Sequence, residues 1–367
     1  MLFRSFKFAD GISLDSLFGY GYGTFIVELA DGVTSDECVL GETTEEKAVV
    51  FGSEKLSLDS LMDIYNGKLE NVYPTNAANG DYKPETYSFK APSTYKAKNG
   101  VPRPRVLIPV FPGTNCEYDS ARAMREAGAE PEIFVINNLT SAGITDSVNK
   151  FAKSAANSQI IFIPGGFSGG DEPDGSGKFI TAFFRNDSIS EEVHKLLGER
   201  DGLMCGICNG FQALIKLGLV PFGKIVEPSA DIPTLAGNII SRHQSRIVRV
   251  RVASNKSPWL TGVNVGDVYN VPISHGEGRF LASDEVVKSL AENGQIATQY
   301  CDNEGNPTMD INFNPNGSLQ AIEGILSPDG RVIGKMGHAE RIGDGLYKNV
   351  PGNYDMKLFD SAVKYYK

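Results

Sequence analysis

Cys208 stands between two glycines, Gly206 and Gly210, where the apolar run Leu203-Met-Cys-Gly-Ile207 meets the helical run Phe211-Gln-Ala-Leu-Ile-Lys-Leu217. A strand that turns straight into a helix crowds backbone against side chains on both flanks. Glycines two residues before and after a nucleophile therefore mark a nucleophile elbow, here with cysteine in the serine position. The helix N-terminus favours negative charge, and with it an attacking thiolate. Such a site is suited to covalent acyl transfer. Cys205 and Cys208 also form a C-x-x-C pair that could serve redox or zinc chemistry. Zinc lacks a second ligand pair among five cysteines and four histidines, and a redox pair gives the glycines no purpose.

A thiolate nucleophile needs a base, and the base needs a group that orients it. His194 falls in an amphipathic helical stretch and His243 among arginines and polar residues, a pattern of packing or surface positions. His338 differs: the apolar run Arg331-Val-Ile-Gly-Lys-Met336 delivers it into Gly337-His338-Ala339-Glu340-Arg341. Residues two apart on an extended backbone point the same way, so His338 and Glu340 can form a base–carboxylate couple. A metal-binding His-x-Glu pair is the alternative, and His275 is a rival base. Acyl transfer also needs oxyanion donors. The strand-like Gln159-Ile-Ile-Phe-Ile163 ends in the loop Pro164-Gly-Gly-Phe-Ser-Gly-Gly-Asp171, whose glycines allow close backbone approach. The backbone N–H groups of Gly166 and Asn209 are expected to be the two donors. The loop lacks the lysine and hydroxyl of a P-loop.

Gly-Ile-Cys-Asn-Gly-Phe-Gln212, the Pro-Gly-Gly-Phe-Ser168 loop, Ser274-His-Gly-Glu-Gly-Arg-Phe280, Asn316-Gly-Ser-Leu-Gln-Ala-Ile-Glu-Gly-Ile325 and the closing His-x-Glu-Arg341 together resemble the class I (triad) glutamine amidotransferases. Within that class they look most like the glutaminase part of the phosphoribosylformylglycinamidine synthases. The resemblance spans residues 103–350. It implies a flavodoxin-like α/β domain, with Cys208 as nucleophile, His338 as base, Glu340 as its orienting acid and Gln212 holding the substrate L-glutamine. It further implies that ammonia from glutamine passes to formylglycinamide ribonucleotide in a synthetase portion. ATP and Mg²⁺ belong to that portion, and no cofactor is expected in this chain. Two departures are visible. Gly169 stands where many relatives have tyrosine, and Ala339 replaces a proline, which leaves the His338 segment less rigid. His275 and Glu277 receive no chemical step, and Glu277 could instead brace the loop through Arg279. A module that keeps the fold without turnover, or a glutaminase serving another synthetase, are the competing functions.

The elements that must position these residues change character near residue 100. From Arg105, strand-like runs (Val106–Val110, Ile133–Ile136, Ile160–Ile163) alternate with amphipathic stretches such as Tyr118–Ala127. This predicts a mainly parallel sheet with helices on both faces, and ligands bound beyond the strands' carboxyl ends. Asn316-Gly317 and Asp329-Gly330 signal turns, so a hairpin should return His338 to the elbow. Residues 1–70 are similar to the very end of the synthetase portion that lies upstream of the glutaminase in large, single-chain forms of the enzyme, which implies a small α+β remnant of it. In it, Thr24–Leu29 is strand-like, Gly19-Tyr-Gly-Tyr-Gly23 is a turn or close-packing element, and Leu56–Tyr65 has helical spacing with Ser57 able to cap it. Residues 71–104 read as a proline-containing linker, 105–350 as the glutaminase domain and 351–367 as a helical tail.

Of 367 residues 41% are hydrophobic, enough for sizeable cores, and the formal net charge of −10 argues against nucleic-acid or anionic-membrane partners. No apolar run reaches the length of a membrane span. The charged start does not resemble a secretory signal, and the odd cysteine count fits a reducing cytoplasm.

Overall fold

The computed structural model describes all residues except 1–4, 75–76, 78–79, 81, 92–94, 171–175 and 230–231. It comprises two units, 1–76 and 77–367. The first contains β1 (Phe6–Phe8), α1 (Leu14–Leu17), β2 (Gly41–Thr43), β3 (Ala48–Phe51), β4 (Glu54–Ser57) and α2 (Leu58–Gly67). Its sheet has the order β2-β1-β3-β4, and Phe8 of β1 meets Phe51 of β3 edge to face. Ser57 caps α2, its hydroxyl accepting the Ser60 N–H at 3.1 Å. Thr24–Leu29, expected as a strand, is not one. A strand-like sequence forms a ladder only against a neighbouring edge, and among the described residues no strand pairs with it.

The second unit opens with β5 (Arg105–Val110), α3 (Glu117–Glu126), β6 (Glu130–Val135), α4 (Ser141–Ala156), β7 (Ile160–Ile163), α5 (Lys178–Phe184), α6 (Asp187–Gly198), β8 (Leu203–Ile207) and α7 (Asn209–Leu217). These are the alternating βα units expected from Arg105 onward. The chain continues through α8 (Leu219–Phe222), β9 (Thr234–Gly237), β10 (Gln244–Val252), β11 (Val268–His275), β12 (Glu277–Leu281), α9 (Asp284–Glu292), β13 (Ile296–Tyr300), β14 (Ile322–Leu326), β15 (Val332–Lys335) and α10 (Leu358–Lys364).

One nine-stranded sheet runs β11-β10-β13-β14-β15-β8-β7-β5-β6, and β9 pairs separately with β12. The strands from β15 to β6 are parallel, whereas those from β11 to β15 are antiparallel. The parallel character foreseen for most of the sheet holds from β15 to β6, and the expected hairpin belongs to the antiparallel half. The β14–β15 turn is too short for the crossover that parallel pairing would need. In β7 and β8 every residue is buried, as expected of central strands covered on both faces. Helices α4, α5, α6 and α7 pack with one another, while α3 packs with α10.

The stretch read as a linker behaves differently over its second half. Phe89 donates its N–H to Ala253 O at 2.8 Å, Gln299 holds Tyr87 N–H and Glu85 O, and Ala97 and Val101 donate to Tyr365 O and Tyr366 O. Few aliphatic residues are present, but these backbone bonds dock the segment where they form. In the C-terminal stretch, Leu358, Phe359, Ala362 and Val363 of α10 are buried.

Candidate active site

Strand β8 ends at Cys208, whose backbone adopts φ 54° and ψ −108° before α7 begins. A non-glycine residue at positive φ is strained and persists only where its surroundings enforce it. Here the flanking glycines make room. A Cβ on Gly206 would lie 2.6 Å from the Gly210 carbonyl, and one on Gly210 would lie 2.0 Å from Ile163 O. The elbow is therefore locked between β7 and α7. Cys208 N–H donates to Lys335 O at 2.9 Å, and its sulfur lies 3.7 Å from the Ser274 carbonyl. The thiol is only 5% exposed, with the end of β11 lying over it.

The loop after β7 explains its glycines by contact. A Cβ on Gly165 would stand 2.7 Å from His338 Cε1, 3.1 Å from Cys116 Sγ and 3.3 Å from Cys208 Cβ. Three reactive side chains thus converge on a point that only glycine leaves empty. Gly166 has φ 145°, and its Cβ would lie 2.7 Å from Gly113 O and Thr114 Cα. Ser168 N–H donates to Asn209 Oδ1 at 3.2 Å, tying this loop to the first residue of α7. Asp171 of the same motif lies outside the described residues.

His338 arrives by the expected hairpin. Asp329-Gly330 turns β14 into β15, and β15 runs parallel to β8 with Lys335 opposite Ile207. His338 Nδ1 and Glu340 Oε1 are 2.6 Å apart, and both side chains are buried. Their backbone is a turn rather than the extended chain expected, since Ala339 N–H approaches Gly337 O at 3.2 Å and Arg341 N–H approaches His338 O at 3.3 Å. A turn brings residues two apart together as effectively as a strand does. Burial is the largest influence on His338 and acts to lower its pKa. It is outweighed by the Glu340 carboxylate and by interactions with Cys116, Cys208 and Glu340, which hold the imidazole well above its ordinary value. With Nδ1 on Glu340, Nε2 has no formed hydrogen bond among the described residues, and Cys208 is its near neighbour.

Cys116 and Asn115, which carry no expectation from the sequence, complete this corner with Arg341, the last residue of the His-x-Glu-Arg motif. Arg341 Nη2 donates to Cys116 Sγ at 2.9 Å and to Asn115 Oδ1 at 3.3 Å, and Arg122 Nη2 donates to Glu340 O at 3.0 Å. The position of Cys116, just beyond the carboxyl end of β5 in Gly113-Thr-Asn-Cys116, was the available signal. Sulfur, imidazole and carboxylate of Cys116, His338 and Glu340 lie within 4.8 Å of one another, close enough to ligate a metal ion. The Arg341 guanidinium on that sulfur opposes a dication there.

Gln212 is buried. It accepts from Asn209 Nδ2 at 2.9 Å and donates to the Glu277 carbonyl at 2.6 Å. Glu277 accepts the Ser176 N–H at 2.9 Å and makes no ion pair with Arg279 among the described contacts. Ser168, Asn209, Gln212, Glu277 and Ser176 thus form one hydrogen-bonded chain along the site. Beside it lies a pocket of about 690 Å³ lined by Phe167, Asn238, Arg242, His243, Glu277 and Arg279, among others.

The rival bases are accounted for. His194 Nε2 accepts the Ile225 N–H at 3.1 Å, a packing contact. His243 is exposed on a loop, as expected, with its Nε2 3.0 Å from Ser274 Oγ, and it lines the pocket. Asn238 commits its amide hydrogens to His275 O and Arg242 O, so its oxygen faces His275 Nδ1 and requires a proton there. Burial, then the neighbouring His338 and His243, push His275 down to about 3, leaving it neutral. Burial raises the Cys205 thiol well above its ordinary value, which removes the reactivity a redox pair would need.

Residues 103–366 match the family model described as the CobB/CobQ-like glutamine amidotransferase domain. The phosphoribosylformylglycinamidine synthase subunit PurQ of Methanococcus maripaludis is 36% identical over 261 residues, which are 69% of this chain and 87% of that protein. The protein of the same description from Chlorobaculum tepidum is 34% identical over 257 residues, 70% of this chain and 94% of that one. Among solved structures, PurLQS from Thermotoga maritima superposes with a TM-score of 0.52 and 28% identity, covering 72% of this chain and all of that chain.

Proposed function

The chain belongs to the CobB/CobQ-like glutamine amidotransferase family, and we propose that it supplies ammonia from glutamine as the glutaminase of a phosphoribosylformylglycinamidine synthase in purine biosynthesis. The observation that carries the chemistry is the convergence of Cys208, Cys116 and His338 on Gly165, with Glu340 bonded behind the imidazole.

Cys208 sulfur attacks the side-chain carboxamide carbon of glutamine, and its proton passes to His338 Nε2. The backbone N–H groups of Gly166 and Asn209 receive the oxyanion that forms, and their loops are tied together through Ser168. His338 then protonates the amide nitrogen, the C–N bond breaks and ammonia leaves a glutamyl thioester. A water molecule, deprotonated by His338, attacks that thioester to release glutamate and restore the thiol. Glu340 keeps the imidazole in one orientation and favours its charged form throughout. Gln212 acts through its neighbours: it holds Asn209 on one side and the Glu277 backbone on the other.

Residues 1–70 are read, on their resemblance, as synthetase sequence carried on the same chain as the glutaminase. ATP and Mg²⁺ are assigned to the synthetase portion, where formylglycinamide ribonucleotide is the ammonia acceptor. The net charge of −10 disfavours a nucleic-acid or anionic-membrane partner. No helix among the described residues is long and apolar enough to cross a membrane, and we place the protein in the cytoplasm. The test is direct. The full chain should release glutamate and ammonia from glutamine, faster when the synthetase portion is added, and Cys208→Ser should abolish release. Glutamate release that persists in Cys208→Ser would refute the assignment. Ammonia reaching only a different acceptor would replace the purine reading with another synthetase.

A further inference from the structure

Behind the His338 turn lies an ion pair to which the reaction above assigns no part. Lys335 Nζ and Glu323 Oε1 are 3.1 Å apart, and their side chains are 1% and 0% exposed. Both charges converge on one peptide unit. Glu323 Oε1 accepts the Gly337 N–H at 2.6 Å, and Lys335 Nζ donates to the Gly337 carbonyl at 2.9 Å. Thr298 Oγ1 donates to the second oxygen of Glu323, which fixes the carboxylate in turn. The next residue is His338. Gly337 itself has no freedom to drift, since a Cβ there would lie 2.6 Å from Val271 Cγ2 and 3.0 Å from Glu323 Oε1. The main chain of Lys335 also reaches the other reacting group, because its carbonyl accepts the Cys208 N–H at 2.9 Å.

We infer that Lys335 and Glu323 are positioning residues for the glutaminase reaction: the pair clamps the Gly337 peptide so that His338 is held at Cys208, with Lys335 tying nucleophile and base together. Stability alone is a weak reason for such a pair. Removing two charges from water costs several kcal/mol each in general, and apolar replacements of equal volume are often as stable or more so. Geometry is a stronger reason. Glu340 can orient the ring only from where the backbone places it, and a displacement of about 1 Å in a reacting group can cost roughly 100-fold in rate.

This inference rests on the amidotransferase reading, so its test carries one readout that needs no turnover. In the full chain, Lys335→Met and Glu323→Gln are made singly and together. The double variant carries no unpaired buried charge, and the amide oxygen that Glu323→Gln leaves in place can still accept from Gly337 N–H, so it should melt near the wild-type temperature. Its kcat for glutamine hydrolysis should nevertheless fall about 100-fold with KM changed less than about three-fold. By NMR, His338 in the double variant should titrate closer to the free-histidine value of about 6.5 than in wild type, because its bond to Glu340 loosens. A folded double variant with wild-type kcat would overturn the inference, as would one whose His338 titration is unmoved. Should the wild-type chain fail to hydrolyse glutamine, the amidotransferase reading falls, and the His338 titration still decides the clamp.

Discussion

The nucleophile and the base of this site are held by opposite means. Cys208 is placed by local covalent geometry, in which a strained residue, its two flanking glycines and the start of a helix leave one conformation. His338 is placed from a distance, by partners on other elements: β15 beside β8, Glu323 on β14, and Arg341 and Arg122 reaching between α3 and the turn. A position dictated locally is insensitive to remote packing but intolerant of any added atom. A position dictated by tertiary contacts can be lost through residues that never meet the substrate.

The most damaging challenge to the base side is Glu340→Gln. The amide can still hydrogen-bond the imidazole but no longer favours its charged form, so kcat should drop roughly 10³-fold with little change in melting temperature. A loss below ten-fold would mean that Glu340 only packs. On the nucleophile side, Gly165→Ala places a methyl 2.7 Å from His338 Cε1 and should cost about 100-fold in kcat while KM moves little. Equal losses in Gly165→Ala and in a control substitution at the exposed, unconstrained Gly67 would show that the convergence point does not matter. Gly210→Ala tests the elbow's intolerance. Its Cβ would meet Ile163 O at 2.0 Å, and overpacking of that kind typically costs about 1–3 kcal/mol, read as a lower denaturant midpoint.

A separate expectation concerns pH. His275 has a folded pKa near 3 against an ordinary 6.5, so the unfolded chain binds the extra proton across that window. Its contribution to stability is complete above 6.5 and is lost as pH falls toward 3. His275→Asn should flatten the decline of the denaturant midpoint between those values, and an unchanged slope would argue that His275 is charged when folded. His338 has the opposite sign. Its raised folded pKa contributes stability that is present below the ordinary value and lost as pH rises through the elevated one.

This contrast also explains what could be read from the sequence. Elbow chemistry lies within five consecutive residues, so Cys208 and its glycines were legible, as was the alternation that places them at the end of a central strand. The His338–Glu340 spacing was legible too, although the backbone that joins the two proved to be a turn. Cys116 and Arg341 are 225 positions apart and meet only in the fold. Lys335 sits in a run that reads as an apolar strand, and its partner Glu323 lies on the neighbouring strand of the hairpin. Neither spacing carries a periodic signal. In the first unit, Thr24–Leu29 has the β-branched and aromatic residues of a strand but no edge to pair with among the described residues. Pattern shows what a segment could do, and partners decide whether it does.

The central claim is that Cys208 carries the glutamyl group, and acid quenching of the full chain during glutamine turnover, followed by peptide mass analysis, tests it most directly. The account predicts a glutamyl thioester on the peptide containing Cys208 and on no other cysteine. A thioester on Cys116, or rapid turnover with no covalent adduct on any cysteine, would contradict it.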